Sequence, residues 1–428
     1  MNHSENTGRN SDQDIDQNID QDTVLRARTM LLGSGRLGLP QEVEAYRVLA
    51  KVSPAAYLPK LVRALVSYGY EVGHRRGPER RLPLHAEAAD AARRIGAGHP
   101  RRTEALRDAL EAYEHALFEL GRRAEGRAVC EELAEAGRAA FERGEVAHPA
   151  YGSGRLAVAL AEEGRHGEAA DLRMRGAGAE TGVSFWSAVE RAAELEAAGR
   201  REEAVAVFTG LVDDTRRKTE SDSAALANLV WELVHRSRML DAAGRRGEAG
   251  ADRREALAVL DRLAESGEPR TWSNILSWWA TLYALSARTV ERPASPEAPA
   301  PAFGTHLHRW SRDVRKAYFG GIPALEAEAA RLAAAGRPAE LRAVHHRLTV
   351  RSTLFRENRT HRIEEALRPL FDEEVALARR AAEGLPRALT DRAMFLVAAK
   401  RYGEARADFA EAVGPLDGAD RSPIVTAT

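Results

Sequence analysis

Apolar residues along most of this chain recur three and four positions apart, the spacing of one helix face. No long stretch alternates apolar with polar residues as a half-buried strand does. The pattern predicts an all-α protein. It is punctuated by a phrase that returns six times: Leu, three residues, a turn residue, Arg, two residues, Glu and usually Ala. The copies are Leu117–Gly121–Arg122–Glu125, Leu160–Gly164–Arg165–Glu168, Leu195–Gly199–Arg200–Glu203, Leu240–Gly244–Arg245–Glu248, Leu332–Gly336–Arg337–Glu340 and Leu396–Lys400–Arg401–Glu404. Leu falls on the buried stripe of one helix's last turn. Gly just past the helix end takes the left-handed conformation that stops it. Glu sits in the first turn of the next helix, where the positive end of the dipole favours it. Ala lets that helix pack closely. The phrase is therefore the elbow of a helix hairpin, and the chain is an α-solenoid of stacked antiparallel hairpins.

Breaks divide the array. Residues 1–22 are polar and acidic and are expected to be disordered. Their alternating Asp12, Asp14, Asp16, Asn18, Asp20 and Asp22 lack the Gly and Glu of a calcium loop: Gln17 and Thr23 stand there. Residues 23–100 read as degenerate helical repeats, with breaks near 33–38, Pro54, 73–83 and 96–100, and with a short helix at 86–95. Residues 101–288 form the main array. Residues 289–304, with Pro293, Pro296, Pro299 and Pro301, cannot be regular helix and read as a semi-rigid linker or long loop. Helical repeats resume over 305–415, and 416–428 is a flexible tail.

Composition narrows the function classes. Net charge is −1 and the isoelectric point about 6.9, so electrostatics favours neither nucleic acid nor an acidic membrane as a partner. The one cysteine, Cys130, excludes a disulfide within the chain and fits a reducing compartment. No apolar run reaches the ~18 residues of a membrane span. These points together lead us to expect a cytoplasmic, bacterial protein.

The two cleanest hairpins carry Ala204, Phe208 and Leu211, and Ala405, Phe409 and Ala412, on their second helices. In this the chain resembles the tetratricopeptide repeat family, with Leu211 departing from the usual small residue. The Gly121, Gly244 and Gly336 hairpins match less well, with Cys130, Arg253 and His345 at the aromatic position. The resemblance implies stacked helix pairs whose first helices line a concave groove for a protein or peptide partner. Thirteen residues before three successive elbow glycines stand Tyr151, Trp186 and Trp231. Two readings stand for them: anchors lining the groove, or packing between units, the commoner fate of large aromatics.

No catalytic, cofactor or metal set emerges. Gly33-Ser-Gly35-Arg-Leu-Gly38 matches a dinucleotide fingerprint but follows a helical stretch rather than a strand. No phosphate-binding loop and no H-E-x-x-H occur. His306 and His308 have no cysteine nearby, and the adjacent His345 and His346 point in different directions on a helix. Cys130 takes a packing position. Arg75, Arg76, Arg80, Arg81, Arg93, Arg94, Arg101 and Arg102 read as a solvated face more than a phosphate contact. Trp272 and Trp279 lie seven apart on one helical face, a core stripe. The expectation is a non-enzymatic binding scaffold without cofactor. The alternatives are the sensor partner of a separate regulator and, third, an enzyme on a helical scaffold. Self-association through end faces is open.

Overall fold

The computed structural model describes residues 21–33, 37–176, 184–269, 275–356 and 363–419, with side chains to residue 414. Acidic residues 12–20, residues 34–36 of the glycine-rich stretch, Trp272 and residues 420–428 lie outside the described residues. Among the described residues every regular element is helical. The chain forms two compact units, 1–156 and 157–428.

The first unit holds α1 (Gln21–Leu32), α2 (Leu39–Val52), α3 (Pro54–Arg76), α4 (Pro78–Arg93), α5 (Arg102–Glu119) and α6 (Arg123–Glu142). Successive helices pack on one another, and Leu58, Leu65, Leu110 and Leu117 are buried in their common core. The glycine- and proline-rich stretch 73–83 contracts to a single break at Gly77, whose φ is +92°. Gly69 and Gly73 instead lie inside α3, one turn apart. A Cβ on Gly69 would sit 2.5 Å from the His85 ring, and one on Gly73 2.6 Å from Arg81 Cδ. The two glycines are a groove that lets α4 approach, not a helix end. Accordingly α4 starts at Pro78, a position where the missing N–H costs nothing, and runs through Pro83.

The helix α7 (Gly154–Glu162) spans the boundary of the units. The second unit continues with α8 (His166–Arg175), α9 (Phe185–Ala197), α10 (Arg201–Glu220), α11 (Leu226–Ala242) and α12 (Arg246–Ser266). Then come α13 (Ile275–Ala284), a 3₁₀ turn (Leu285–Thr289), an irregular strap over 290–306 and a second 3₁₀ turn (Leu307–Arg309). The remaining helices are α14 (Arg312–Gly320), α15 (Ile322–Ala334), α16 (Pro338–Arg356), α17 (Ile363–Ala381), α18 (Leu385–Ala398) and α19 (Tyr402–Ala419). The later helices return to the earlier ones: α19 packs on α12, and α13 is enclosed by α11, α16 and α18. Trp279 of α13 is buried, with the Phe371 and Phe395 rings about 6 Å away. Those two phenylalanines stack on each other at 4.6 Å.

The elbow takes the form the phrase predicts. The glycines at 121, 164, 199, 244 and 336 have φ between +63° and +79°. In all six copies the Arg backbone N–H reaches back to the Leu carbonyl, at 2.8 to 3.1 Å. That bond closes the helix end around a left-handed residue. The Arg side chain has a second task that the phrase alone does not reveal. In four copies its guanidinium forks onto the Glu three residues on, with both N···O distances near 2.7 Å. The sixth copy departs from this. Lys400 carries the left-handed conformation at φ +60°, and Arg401 pairs with Glu364 instead of Glu404.

Two elbows allow a clean comparison. Nothing lies within 4 Å of a Cβ built on Gly199, whereas one on Gly164 would collide with the Ala294 carbonyl. Gly199→Ala is expected to cost about 1 kcal/mol, the left-handed penalty alone, and Gly164→Ala clearly more. Lys400→Gly is expected to raise stability by up to about 1 kcal/mol. Urea unfolding of the three variants checks the order.

Candidate functional sites

Three places in the molecule gather chemistry. The first lies in the first unit. Helices α3 and α5, the first members of successive hairpins, form the walls of an open cleft of about 670 Å³. Val62, Val66 and Tyr70 line it from α3, and Glu104, Asp108 and Glu111 from α5. The acidic residues are spaced four and three apart, which places them on one helix face. Arg63, Ser67, Arg101 and His115 complete the polar lining. Asp108 is paired with Arg107 at 2.7 Å. Glu111 is half-buried, and burial raises its carboxyl pKa, opposed by Arg107 and Arg155. No hydrogen bond or ion pair to Glu111 occurs among the described residues. Beside it, fully buried Glu114 accepts from Arg155 Nε at 2.7 Å.

The second place is a self-made contact in the second unit. The strap lies against α7, the Gly164 elbow and α9, the first helices of their hairpins. Ala300 N donates to the Glu162 carbonyl at 2.9 Å, and Ser311 N to the Glu162 carboxylate at 2.8 Å. Buried Glu190 of α9 accepts from Arg309 at 2.9 Å and also from Arg173, whose other amine donates to Thr305 Oγ1 at 3.0 Å. Arg288 donates to the carbonyls of Ala193 and Phe303. A Cβ on Gly304 would collide with Ala193. The proline-rich segment is thus held by a helix-end carbonyl on Ala300 N and by arginine side chains on the Phe303 carbonyl and the Thr305 hydroxyl, not by a ladder.

The three aromatics singled out from the elbow spacing have different surroundings. Tyr151, in the first unit, is half-buried, and its hydroxyl accepts from Arg107 at 2.9 Å. Trp186, in the second unit, is half-buried and meets strap residue His306 edge-on at 4.7 Å. Trp231 is buried, and its indole N–H donates to the Met394 carbonyl of α18 at 3.1 Å.

The third place went unseen in the sequence. It is a polar cluster drawn from the 3₁₀ turn after α13 and from α16, α17 and α18 of the second unit. His346 of α16 is hydrogen-bonded through Nδ1 to Glu374 Oε1 of α17 at 3.1 Å, and through Nε2 to Ser286 Oγ of the 3₁₀ turn at 3.0 Å. Asp391 of α18 accepts from Arg238 at 2.6 Å, with Arg387 Nε 4.0 Å away. Tyr283 places its ring edge-on to His346, and His345 Nδ1 is 3.9 Å from Glu374. Burial opposes charge on both His346 and Glu374. Their mutual attraction prevails: the Glu374 carboxyl is held down to about 2 and the His346 imidazole is raised. Burial and the neighbouring Glu374 and Asp391 push the Tyr283 hydroxyl well above its ordinary value. Donor atoms of His346, Glu374 and Asp391 lie within 4.8 Å of one another, close enough to share a cation. The set does not fit one. Both imidazole nitrogens are engaged, and two guanidiniums stand at Asp391. The spacing of residues 286, 346, 374 and 391 follows no motif, because separate helices bring them together.

No model of a known protein family matches the chain, and no curated protein does. Among solved structures it is similar to a circular tandem repeat protein with novel repeat topology and enhanced subunit contact surfaces. That similarity is at 15% identity over 93% of this chain and 94% of the other, with a TM-score of 0.18. Among the described residues no helix is long and apolar enough to cross a membrane.

The His346–Glu374 pair generates a pH prediction. A depressed carboxyl stabilises the fold above its ordinary pKa of 4.5 and loses that contribution as pH falls. A raised imidazole stabilises below its ordinary 6.5 and loses that contribution as pH rises through its folded value. The pair therefore contributes most between these two values. Glu374→Gln is expected to cost about 3 kcal/mol near the middle of that window and visibly less in alkaline solution. Thermal melts of wild type and variant across pH measure the difference.

Proposed function

We propose that this chain is a peptide-binding scaffold of the tetratricopeptide type, and that the α3–α5 cleft is its binding groove. The observation that carries this reading is the chemistry of that cleft. It is open, formed by the first helices of stacked hairpins, and floored by Val62, Val66 and Tyr70. Along one wall runs the acidic row containing Glu111, a carboxylate whose burial cost Arg107 and Arg155 only partly offset. The occupant that fits is an extended peptide presenting a Lys or Arg beside an apolar side chain. The strap in the second unit supports the reading by analogy: α7 and α9 of this chain do lie against an extended segment, with the Glu162 carbonyl accepting from its Ala300 N–H and Arg173 donating to its Thr305 hydroxyl. The buried Ala204, Phe208 and Leu211, and the buried Ala405, Phe409 and Ala412, support the finer repeat type.

Peptide-display selection on the full chain tests this. Enrichment of sequences with a basic residue next to an apolar one is expected. A Tyr70→Ala/Glu111→Gln double variant should weaken the selected peptides at least about tenfold while keeping wild-type helicity. No enrichment over background, or equal binding by the variant, would overturn the assignment of the groove.

A further inference from the structure

We propose that Ser286, His346 and Glu374 form a nucleophile–base–carboxylate relay, giving the second unit an acyl-transfer site for small apolar carboxylic esters. The site lies in a different unit from the peptide groove and stands or falls independently of it. It also departs from the sequence-based expectation of a chain without a catalytic set.

The argument is geometric. A serine nucleophile needs a base within hydrogen-bond reach and a third group that fixes the base's tautomer. Ser286 Oγ is 3.0 Å from His346 Nε2, and the opposite ring nitrogen is 3.1 Å from Glu374 Oε1. The relay is anchored on three rigid supports. Ser286 is in the 3₁₀ turn that continues α13, His346 is on α16 and Glu374 is on α17. His346 and Glu374 are buried, whereas Ser286 is partly exposed. Ser286 lines a cavity of about 520 Å³ whose apolar wall includes Leu282, Leu285, Phe409 and Val413. Arg387 lines both this cavity and the smaller one around His346, and donates to the Ser286 carbonyl at 3.0 Å. The hydroxyl and the guanidinium therefore face the larger cavity, and the base and its orienting carboxylate stand behind the hydroxyl on the smaller one, with Arg387 common to both.

The chemistry balances without any further reagent. Ser286 Oγ bonds to the ester carbonyl carbon as His346 Nε2 takes the hydroxyl proton. The tetrahedral oxyanion forms beside the Arg387 guanidinium. The bond from carbon to the alcohol oxygen then breaks, and His346 returns the proton to the departing alkoxide. Water, deprotonated by His346, attacks the acyl-serine. The carboxylic acid leaves, and Ser286 regains its proton. His346 must be neutral to begin. The charged and titratable groups facing it are Glu374 on α17, Asp391 and Arg387 on α18, Tyr283 on α13 and its own neighbour His345. Glu374 and Asp391 favour the charged imidazole, so the reaction belongs to mildly alkaline solution.

The test is a fluorophosphonate probe applied to the full chain in mildly alkaline buffer, with the modified residue located by peptide mass spectrometry. The expected result is a single phosphonylated site at Ser286. Labelling should be lost in heat-unfolded protein, and should fall by about 100-fold or more in Ser286→Ala and in His346→Gln. Glu374→Gln should slow labelling per folded molecule without moving the site. The same variants should lose hydrolysis of a p-nitrophenyl butyrate probe in parallel. Absence of label from folded wild type overturns the proposal, as does label at another residue or an undiminished rate in His346→Gln. The wild-type labelling result decides even if a variant fails to fold.

Discussion

The elbow hydrogen bond from an Arg backbone N–H to the Leu carbonyl five residues back is what the rest of the molecule depends on. It closes only if the residue before Arg adopts a left-handed backbone. Glycine supplies that without strain in five copies, and Lys400 accepts the strain in the sixth. Each closed elbow ends one helix and reverses the chain. The Arg side chain then folds forward onto the next helix's Glu. One residue thus joins both helices, with its main chain on the first and its guanidinium on the second. Exposed forks of this kind contribute little to stability individually. Their value is geometric, because they fix how the second helix departs.

Once hairpins stack, their first-helix faces become available for binding, and the two units use them differently. In the second unit α7 and α9 hold the strap, which buries Ala302 and Phe303 and has a backbone outside any helix to satisfy. The Glu162 carbonyl accepts from Ala300 N, Arg288 donates to the Phe303 carbonyl and Arg173 to the Thr305 hydroxyl. In the first unit α3 and α5 leave their face open, lined by an acidic row and an exposed tyrosine. The contrast is one of occupancy on related surfaces, and it is why the open cleft is the groove of the proposed function.

The Ser286–His346–Glu374 cluster follows a different logic. A charged pair in the interior is retained against its desolvation cost only because each member neutralises the other. Such pairs cluster where function needs them, although structural networks also make them. Here the pair is extended by a hydroxyl that borders a cavity with an apolar wall, and by a guanidinium on the same cavity. That combination separates it from the chain's other buried pairs, such as Arg236–Asp252 and Arg173–Glu190, which join carboxylates to guanidiniums without an imidazole.

Much of the architecture was legible in the sequence because its cause is local. Helix periodicity, the left-handed glycine and the Ala beside it act within about ten residues. They predicted an all-α chain and the hairpin elbows. The sequence misread Gly73 as a breaker, since a glycine that ends a helix and a glycine that admits a neighbour look alike until the neighbour is placed. It could not say which of Tyr151, Trp186 and Trp231 has which surroundings. Trp231 is covered by α18, more than 150 positions later, and Trp186 by the strap. The polar cluster was beyond its reach for the same reason. His346, Glu374, Asp391 and Ser286 meet only after α13, α16, α17 and α18 assemble, and contacts of that range carry no spacing rule. The sequence alone determined the repeating hairpin. Tertiary structure alone decided which faces stay open and which distant side chains share a site.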